Sequence, residues 1–303
     1  MTASWRVGAI LNEPLAATLR FAAWYLDQGA AGLTLLFDNP RDPAIGVLSA
    51  HPGIVCVRCD AAFWEGLGLS PAARFTRRQN AGLTWVYRQT REDWLLNLDA
   101  DEFLYVNHGT IGTLLAAQPA DLPAVRVMTA EAVLPEVKAR DTLFRLPMER
   151  DIARRIYQED TALFGPKRMG LVGHAGGKSA IRSGQPGVRL RQHWAHGGDG
   201  EKLAERVLGP QSGAHLLHLN APDFDSWRDK LDWRLSARGF TGPLAKRLHE
   251  ARGGAEPEAA LRAIFTSLYG VSEARFARMC EAGVGMALDL DLDARVARQI
   301  PNA

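Results

Sequence analysis

Cysteine is scarce in this sequence, and long apolar runs are missing from it. The 303 residues include three cysteines, too few for the disulfide framework of a small secreted domain. Cys56 and Cys59 form a Cys-x-x-Cys pair, but no second pair lies nearby, and the strand-like pattern around Cys56 favours a place in the core. No stretch reaches the roughly 18 apolar residues of a membrane-spanning helix. We therefore expect neither a disulfide scaffold nor a membrane span.

Net charge is also small. Lys and Arg number 36 and Asp and Glu 34, for a formal charge of +2, so the whole chain is not expected to bind nucleic acid. The basic residues nevertheless cluster at 138–155, 167–191 and 228–252. Such clusters usually form solvated surface. The alternatives are sites for pyrophosphate, for an acidic acceptor or for an anionic membrane surface.

Three carboxylates follow an apolar run near the middle of the first half. Residues 94–98 predict a short buried strand, and Asp99, Asp101 and Glu102 come at its carboxyl end. Carboxylates placed together repel each other and are costly to desolvate. A divalent cation relieves both costs, and hard oxygen ligands suit Mg²⁺ or Mn²⁺. The alternative reading is a solvated acidic turn after a core strand.

Strand and helix patterns alternate through the first hundred residues. Trp5–Leu11, Gly32–Phe37, residues 54–57 and residues 94–98 predict strands. Helical spacing lies between several of them, most clearly in residues 72–89. Such alternation is typical of a doubly wound α/β sheet. Polar residues follow three of the strands, namely Asn12-Glu13, Asp38-Asn39 and the acidic triplet.

With these motifs, the chain resembles the glycosyltransferase family 2 superfamily, and specifically a bacterial branch with Asn-Glu after the first strand and a DxDEF motif. The resemblance covers roughly residues 5–235. One departure is Leu219, where the branch usually has Tyr. The matching segments are Ile10–Glu13, Leu36–Asp42, Arg78-Gln79-Asn80, Leu98–Leu104, Gly177–Arg182 with the later His193, and His218–Lys230.

The resemblance implies an α/β fold of the GT-A (Rossmann-like) type, with a mixed sheet flanked by helices. We expect a GT-A glycosyltransferase-like domain over 1–240 and a C-terminal helical annex over 241–303. The implied activity is metal-dependent transfer of a sugar from a nucleotide-diphosphate sugar to an acceptor hydroxyl, in surface polysaccharide or glycoconjugate synthesis. The acceptor would be a carbohydrate or a lipid-linked molecule. We expect a cytoplasmic protein, because the N-terminus enters a strand almost at once; peripheral association with the inner face of the membrane is a further expectation.

The resemblance also assigns roles to single residues. Asp99 and Asp101 would hold Mn²⁺ or Mg²⁺, and His218 would complete the metal shell, with His193 as the runner-up. Glu131 and Asp151 are the candidates for the carboxylate that deprotonates the acceptor. The residues expected to bind the nucleotide sugar are Asn12, Glu13, Asp38, Asp42, Gln79, Asp99 and Lys178.

Later patterns are weaker. Residues 124–132 predict one strand and residues 223–239 one amphipathic helix. The Gly-rich stretch 170–187 reads either as a loop closing over phosphates or as an ordinary β connection.

Two rival functions stay open. One is a nucleotidyltransferase. Such an enzyme needs a Gly-rich basic loop after the first strand, and the segment Asn12-Glu13-Pro14 at that place disfavours it. The other is a non-catalytic nucleotide- or sugar-binding protein with the same fold.

Overall fold

The computed structural model describes residues 1–137, 139–236 and 239–301. Both helices and strands occur throughout these ranges. The strands are β1 Trp5–Leu11, β2 Gly32–Phe37, β3 Ile54–Arg58, β4 Trp94–Asn97, β5 Glu102–Val106, β6 Ala124–Val127, β7 Thr129–Pro135, β8 Thr142–Arg145, β9 Lys178–Arg182, β10 Arg189–Leu190, β11 Ala195–His196, β12 Glu205–Leu208, β13 Ala214–His218, β14 Gly270–Val271 and β15 Gly285–Leu288. The α-helices are α1 Leu15–Asp27, α2 Ala44–Leu48, α3 Ala61–Gly66, α4 Phe75–Gln89, α5 Ile111–Ala116, α6 Arg150–Tyr157, α7 Thr161–Phe164, α8 Phe224–Asp229, α9 Leu231–Ser236, α10 Gly242–Gly253, α11 Pro257–Tyr269, α12 Glu273–Glu281 and α13 Leu292–Gln299.

Two compact units make up the chain, and each is discontinuous in sequence. The first unit runs through Met1–Met128 and Gly176–Leu216 and resumes at Asp291. The second unit comprises Thr129–Ala175 and Leu217–Leu290. These units follow three-dimensional packing, and the division into 1–240 and 241–303 stays a prediction.

The first unit is built on a mixed sheet in the order β12-β6-β9-β4-β1-β2-β3. Strands β4, β1, β2 and β3 are parallel neighbours, whereas β9 runs antiparallel to both β4 and β6. Strands β2 and β4 are buried at every position, as expected for parallel strands covered by helices on both faces. The prediction of a mixed α/β sheet flanked by helices is confirmed. The carboxyl ends of β4, β1 and β2 lie at one edge of the sheet.

A single glycine sets the start of β9. Gly177 has a φ of +62°, and a Cβ there would lie 1.7 Å from the carbonyl oxygen of Val127. No other residue type fits such a contact without moving the backbone. The chain can therefore turn tightly into β9, which pairs Lys178 with Val127. Of the two readings of the Gly-rich stretch, the β connection is correct for its second half.

Two other predicted elements are wrong in extent. Residues 124–132 form two strands, because β6 ends at Val127 and β7 begins at Thr129. The apolar pattern continues through Met128, so periodicity alone does not reveal the break. The helix predicted over 223–239 is two helices, α8 and α9, with Lys230 as the C-cap of the first; residues 237–238 lie outside the described ranges.

The second unit contains the antiparallel strands β7, β8 and β15, and β14 pairs parallel with β7. Helices α8 and α11 share an aromatic cluster in which Phe265 contacts Phe224, Trp227 and Tyr269. Among the described residues, no helix is both long and apolar enough to cross a membrane.

Candidate functional site

Asp99 lies at the carboxyl end of β4, and two side chains hold its carboxylate. Gln79 on α4 donates from Nε2 to Oδ1 at 2.8 Å, and Lys178 donates from Nζ to Oδ2 at 2.7 Å. Gln192 in turn donates to Oε1 of Gln79 at 2.9 Å. The Asp99 side chain nevertheless keeps 38% of its surface exposed. It is therefore fixed in orientation and still accessible.

Lys178 is a buried cation between carboxylates. Its side chain is 2% exposed, and its Nζ lies 3.5 Å from Oε2 of Glu102 in addition to its contact with Asp99. Burial alone would lower the pKa of Lys178, but the charges of Asp99, Glu102 and Asp101 raise it above its ordinary value. A lysine this deeply buried keeps its charge only when such partners surround it.

The turn after β4 is tightened by Glu102. The Asp99 N–H donates to Oε2 of Glu102 at 2.9 Å, and the Glu102 N–H donates to the carbonyl oxygen of Asp99 at 3.1 Å. Tyr25 then fixes the backbone beyond the turn, because its hydroxyl donates to the Glu102 carbonyl and accepts from the Leu104 N–H, both at 2.8 Å. Asp101, in the middle of the turn, is half-buried. Glu102 thus shapes the turn that presents Asp99 and Asp101.

Asn12, Glu13 and Asp38 follow β1 and β2 at the same edge of the sheet. Asn12 is exposed and Glu13 is half-buried. Asp38 faces Arg78 of α4, whose Nη2 donates to Oδ2 at 3.0 Å while Nη1 lies 2.8 Å from Oδ1. Asp99 follows β4 at this same edge, which is formed by the carboxyl ends of the parallel strands. Open α/β sheets bind ligands at that edge.

Two of the predicted nucleotide-binding residues, Asp42 and Gln79, are buried, and other residues of the protein already hydrogen-bond to their side chains. Oδ1 of Asp42 accepts the Ala44 N–H at 2.8 Å at the start of α2, and the residue is 8% exposed. Gln79 is 2% exposed and is used between Asp99 and Gln192. Their binding of a nucleotide stays a prediction; the contacts present show that both side chains organise the site's surroundings.

Glu131, one of the two candidate bases, lies in the second unit and is fully buried. Arg145 donates to its Oε2 from Nε at 2.9 Å and from Nη2 at 2.5 Å, and the Val172 N–H donates to the same oxygen at 2.9 Å. Oε1 accepts from the Gly173 N–H at 2.6 Å and from Nδ2 of Asn220 at 3.0 Å. Burial alone would raise the pKa of Glu131, but Arg145, the Val172 N–H and the neighbouring His218 lower it. A weakly basic, enclosed carboxylate is poorly suited to accept a proton from a substrate, and the assignment as base stays a prediction.

The remaining predicted residues are dispersed. Asp151 lies on α6 with 77% of its side chain exposed and only a 3.9 Å ion pair to Arg155. His218 ends β13 and is an electrostatic neighbour of Glu131. His193 places Nδ1 3.0 Å from the carbonyl oxygen of Gly177. Contact of His218 or His193 with a cation stays a prediction.

Several organising residues were not assigned a role from the sequence. Gln192, Tyr25 and Arg145 each make contacts that fix a candidate residue, yet none follows a recognisable motif. Arg78 was part of a matching segment without a stated role. The sequence pointed to a role for Arg78 only through its place next to the candidate residue Gln79.

A divalent cation fits the chemistry of the Asp99–Asp101 turn. Each carboxylate oxygen of Asp99 accepts one hydrogen bond and has a second lone pair. Within the described residues, no group of three or more His, Cys, Asp and Glu side chains is arranged around a common metal position. Mg²⁺ is commonly held by one or two carboxylates together with substrate phosphates, and Asp99 and Asp101 would supply those carboxylates.

Comparison with known proteins adds no relatives. No model of a known protein family matches the chain, and no curated protein matches it.

Proposed function

We propose that this protein is a glycosyltransferase that moves a sugar from a nucleotide-diphosphate donor to an acceptor hydroxyl, with Mn²⁺ or Mg²⁺ as cofactor. The observation that carries the proposal is the geometry around Asp99. A carboxylate at the end of a central parallel strand is oriented by a buried lysine and a buried glutamine, yet remains more than one-third exposed. The acidic motif that resembles DxDEF contains this residue.

The chain's own groups have separate roles in this proposal. Lys178 orients Asp99, because its ammonium group lies 2.7 Å from Oδ2. Gln79 fixes the other oxygen, so the carboxylate does not need to reorganise when a ligand arrives. Asp99 and Asp101 would then hold the cation, which when bound neutralises charge on the diphosphate leaving group.

The neighbouring strand ends would receive the nucleoside. Asn12 and Glu13 follow β1, and the Asp38–Arg78 pair follows β2. Arg78 holds the Asp38 carboxylate in place, and that carboxylate would accept hydrogen bonds from ribose hydroxyls. The geometry thus supports a polar nucleotide pocket at the edge that also carries the acidic turn.

A nucleotide thermal-shift experiment tests the proposal. Uridine, guanosine and adenosine diphosphates are each added with Mn²⁺ or with EDTA, and the melting temperature is recorded. We expect one nucleotide with Mn²⁺ to stabilise the protein by about 2.7 kcal/mol at a hundredfold excess over its dissociation constant. Asp101→Asn should remove most of the Mn²⁺-dependent part.

Two outcomes would contradict the proposal in different ways. Equal stabilisation with Mn²⁺ and with EDTA would rule out a metal that links the carboxylates to the diphosphate. Absence of stabilisation by every nucleotide diphosphate would rule out a nucleotide sugar as donor. Release of nucleotide diphosphate from the matching sugar donor then distinguishes a transferase from a binding protein.

A further inference from the structure

A large cavity lies within the second unit, lined by α6, α7 and the segment after α7. Its volume is about 810 Å³, within the usual range of about 300–1,000 Å³ for small-molecule sites. Four basic side chains line it against two acidic ones, Glu149 and Glu159. The basic residues are Arg150, Arg154, Lys167 and Arg168.

Two of these cations are placed in a way that costs stability. Arg150 and Arg154 are one helical turn apart on α6, and like charges at this spacing repel each other. Gln158, four residues further on, lines the same cavity. Within the described ranges, Arg150, Arg154 and Lys167 have no carboxylate in ion-pair contact. An anion in the cavity would relieve this repulsion.

Backbone strain marks the same place. Gln158 has a φ of +53° and Met169 a φ of +52°, values that residues with side chains rarely adopt. Both residues line the cavity. Strained residues with side chains persist where the surroundings hold them, and they cluster at ligand sites.

The cavity wall is tied together by hydrogen bonds, so its shape is defined before a ligand arrives. Arg168 donates from Nη1 to the Gly173 carbonyl and from Nη2 to the Gly239 carbonyl, both at 2.9 Å. The Met148 N–H donates to the Met169 carbonyl at 2.9 Å. Arg168 is thus part of the wall, whereas Arg150, Arg154 and Lys167 are the cations left for a ligand.

We propose that this cavity binds an anionic saccharide, one that carries phosphate or carboxylate groups. The saccharide rests on the proposed glycosyltransferase function, in which it would be the acceptor; the negative charge rests on the cavity alone. Guanidinium groups bind both phosphate and carboxylate through paired hydrogen bonds. Sugar hydroxyls would meet the polar groups of Gln158 and Thr161, which also line the cavity.

Fluorescence anisotropy with three labelled tetrasaccharides tests this inference. The probes are tetragalacturonate, a phosphorylated maltotetraose and neutral maltotetraose. We expect at least one charged probe to bind about tenfold or more tightly than the neutral one, with an affinity that falls as salt rises. The charged probe that binds more tightly identifies the anionic group.

Matched variants locate the binding. Arg150→Gln/Arg154→Gln should weaken binding of the charged probe by about tenfold or more, since charge-assisted hydrogen bonds are lost. Arg155→Gln removes one arginine from the same helix outside this cavity and should alter affinity by less than about twofold. All three positions are exposed, and thermal unfolding of each variant checks the fold.

Failure of this inference is separable from failure of the proposed function. Asp99→Asn should leave the saccharide affinity unchanged, because Asp99 does not line the cavity. Equal affinity for charged and neutral probes, or equal weakening by Arg155→Gln, overturns the anionic site while the nucleotide response stays interpretable. Loss of the nucleotide response with intact saccharide binding would instead overturn the transferase proposal.

Discussion

Two ion pairs with a deeply buried cation, one chosen from each unit, differ in how far their carboxylate is open to solvent. In the second unit, the closed pair of Glu131 and Arg145 has side-chain exposures of 0% and 1%. In the first unit, the open pair of Asp99 and Lys178 has exposures of 38% and 2%. The cation is buried in both cases, so the difference lies almost entirely in the carboxylate.

Hydrogen bonding follows the same division. The closed pair's carboxylate accepts five hydrogen bonds, from Arg145 twice, from Asn220 and from two backbone N–H groups. The open pair's carboxylate accepts one bond on each oxygen from side chains. A saturated, enclosed carboxylate has no lone pair left for a ligand and is costly to remove from its buried partner, whereas a partly satisfied, exposed one can still accept a ligand.

The largest effect is expected from breaking the closed pair. Glu131→Gln keeps the side-chain shape but leaves the Arg145 charge buried without its partner, which costs about 3–5 kcal/mol of unfolding free energy. Urea denaturation measures this cost. Asp151→Asn is the matched control, since its carboxylate is 77% exposed, and it should change stability by less than about 0.5 kcal/mol.

The same variant separates the two interpretations of Glu131. If Glu131 were the catalytic base, Glu131→Gln would fold with near-normal stability and lose transfer activity. A stability loss below about 1 kcal/mol would therefore contradict the structural role assigned to the closed pair.

The open pair should behave in the opposite way. Asp99→Asn is expected to lower sugar transfer by about a hundredfold, equivalent to about 2.7 kcal/mol of transition-state stabilisation. Its stability cost should be smaller, about 1–2 kcal/mol, because Glu102 remains 3.5 Å from the Lys178 ammonium. Steady-state kinetics and urea denaturation on one sample give both values.

Asp121→Asn is the control for the open pair, as an exposed carboxylate in the same unit. It should affect neither quantity. Near-normal turnover of Asp99→Asn, or a stability loss larger than that of Glu131→Gln, would erase the distinction between the pairs.

Sequence patterns drew attention to Asp99, the carboxylate of the open pair, but did not predict either ion pair. Asp99 belongs to an acidic triplet that follows a mostly apolar, buried strand, so the local pattern alone draws attention to it. Strands β1 and β2 were predicted with the observed limits, Trp5–Leu11 and Gly32–Phe37, because continuous apolar runs end there in polar residues. Local signals of this kind depend on neighbours in sequence.

Long-range partners gave no such signal. Lys178 contacts Asp99 across 79 positions, and Asn220 contacts Glu131 across 89. A lysine at a strand start usually points to solvent, and only the carboxylates brought next to it explain its burial. The break at Met128 was missed for a related reason, since the apolar pattern of β6 continues into β7 while the strands belong to different units.

The smallest expected effect is the change in unfolding free energy at acidic pH. Burial alone would raise the pKa of Glu131, but Arg145 and the nearby His218 hold it below its ordinary value. The stabilisation from ionised Glu131 is therefore fully present above the unfolded pKa, about 4.3, and is lost as pH falls through the lower folded pKa.

Glu131→Gln lacks this titrating group, so the stability difference between wild type and variant should be constant from pH 7 to about 5 and should narrow below about pH 4.3. Urea denaturation at half-unit pH steps measures the difference, and Asp151→Asn should follow the wild type throughout. A difference that widens on acidification would mean that Glu131 has a raised pKa, as expected for a carboxylate whose burial outweighs its partner, and the closed pair would then not be an ion pair of the kind described.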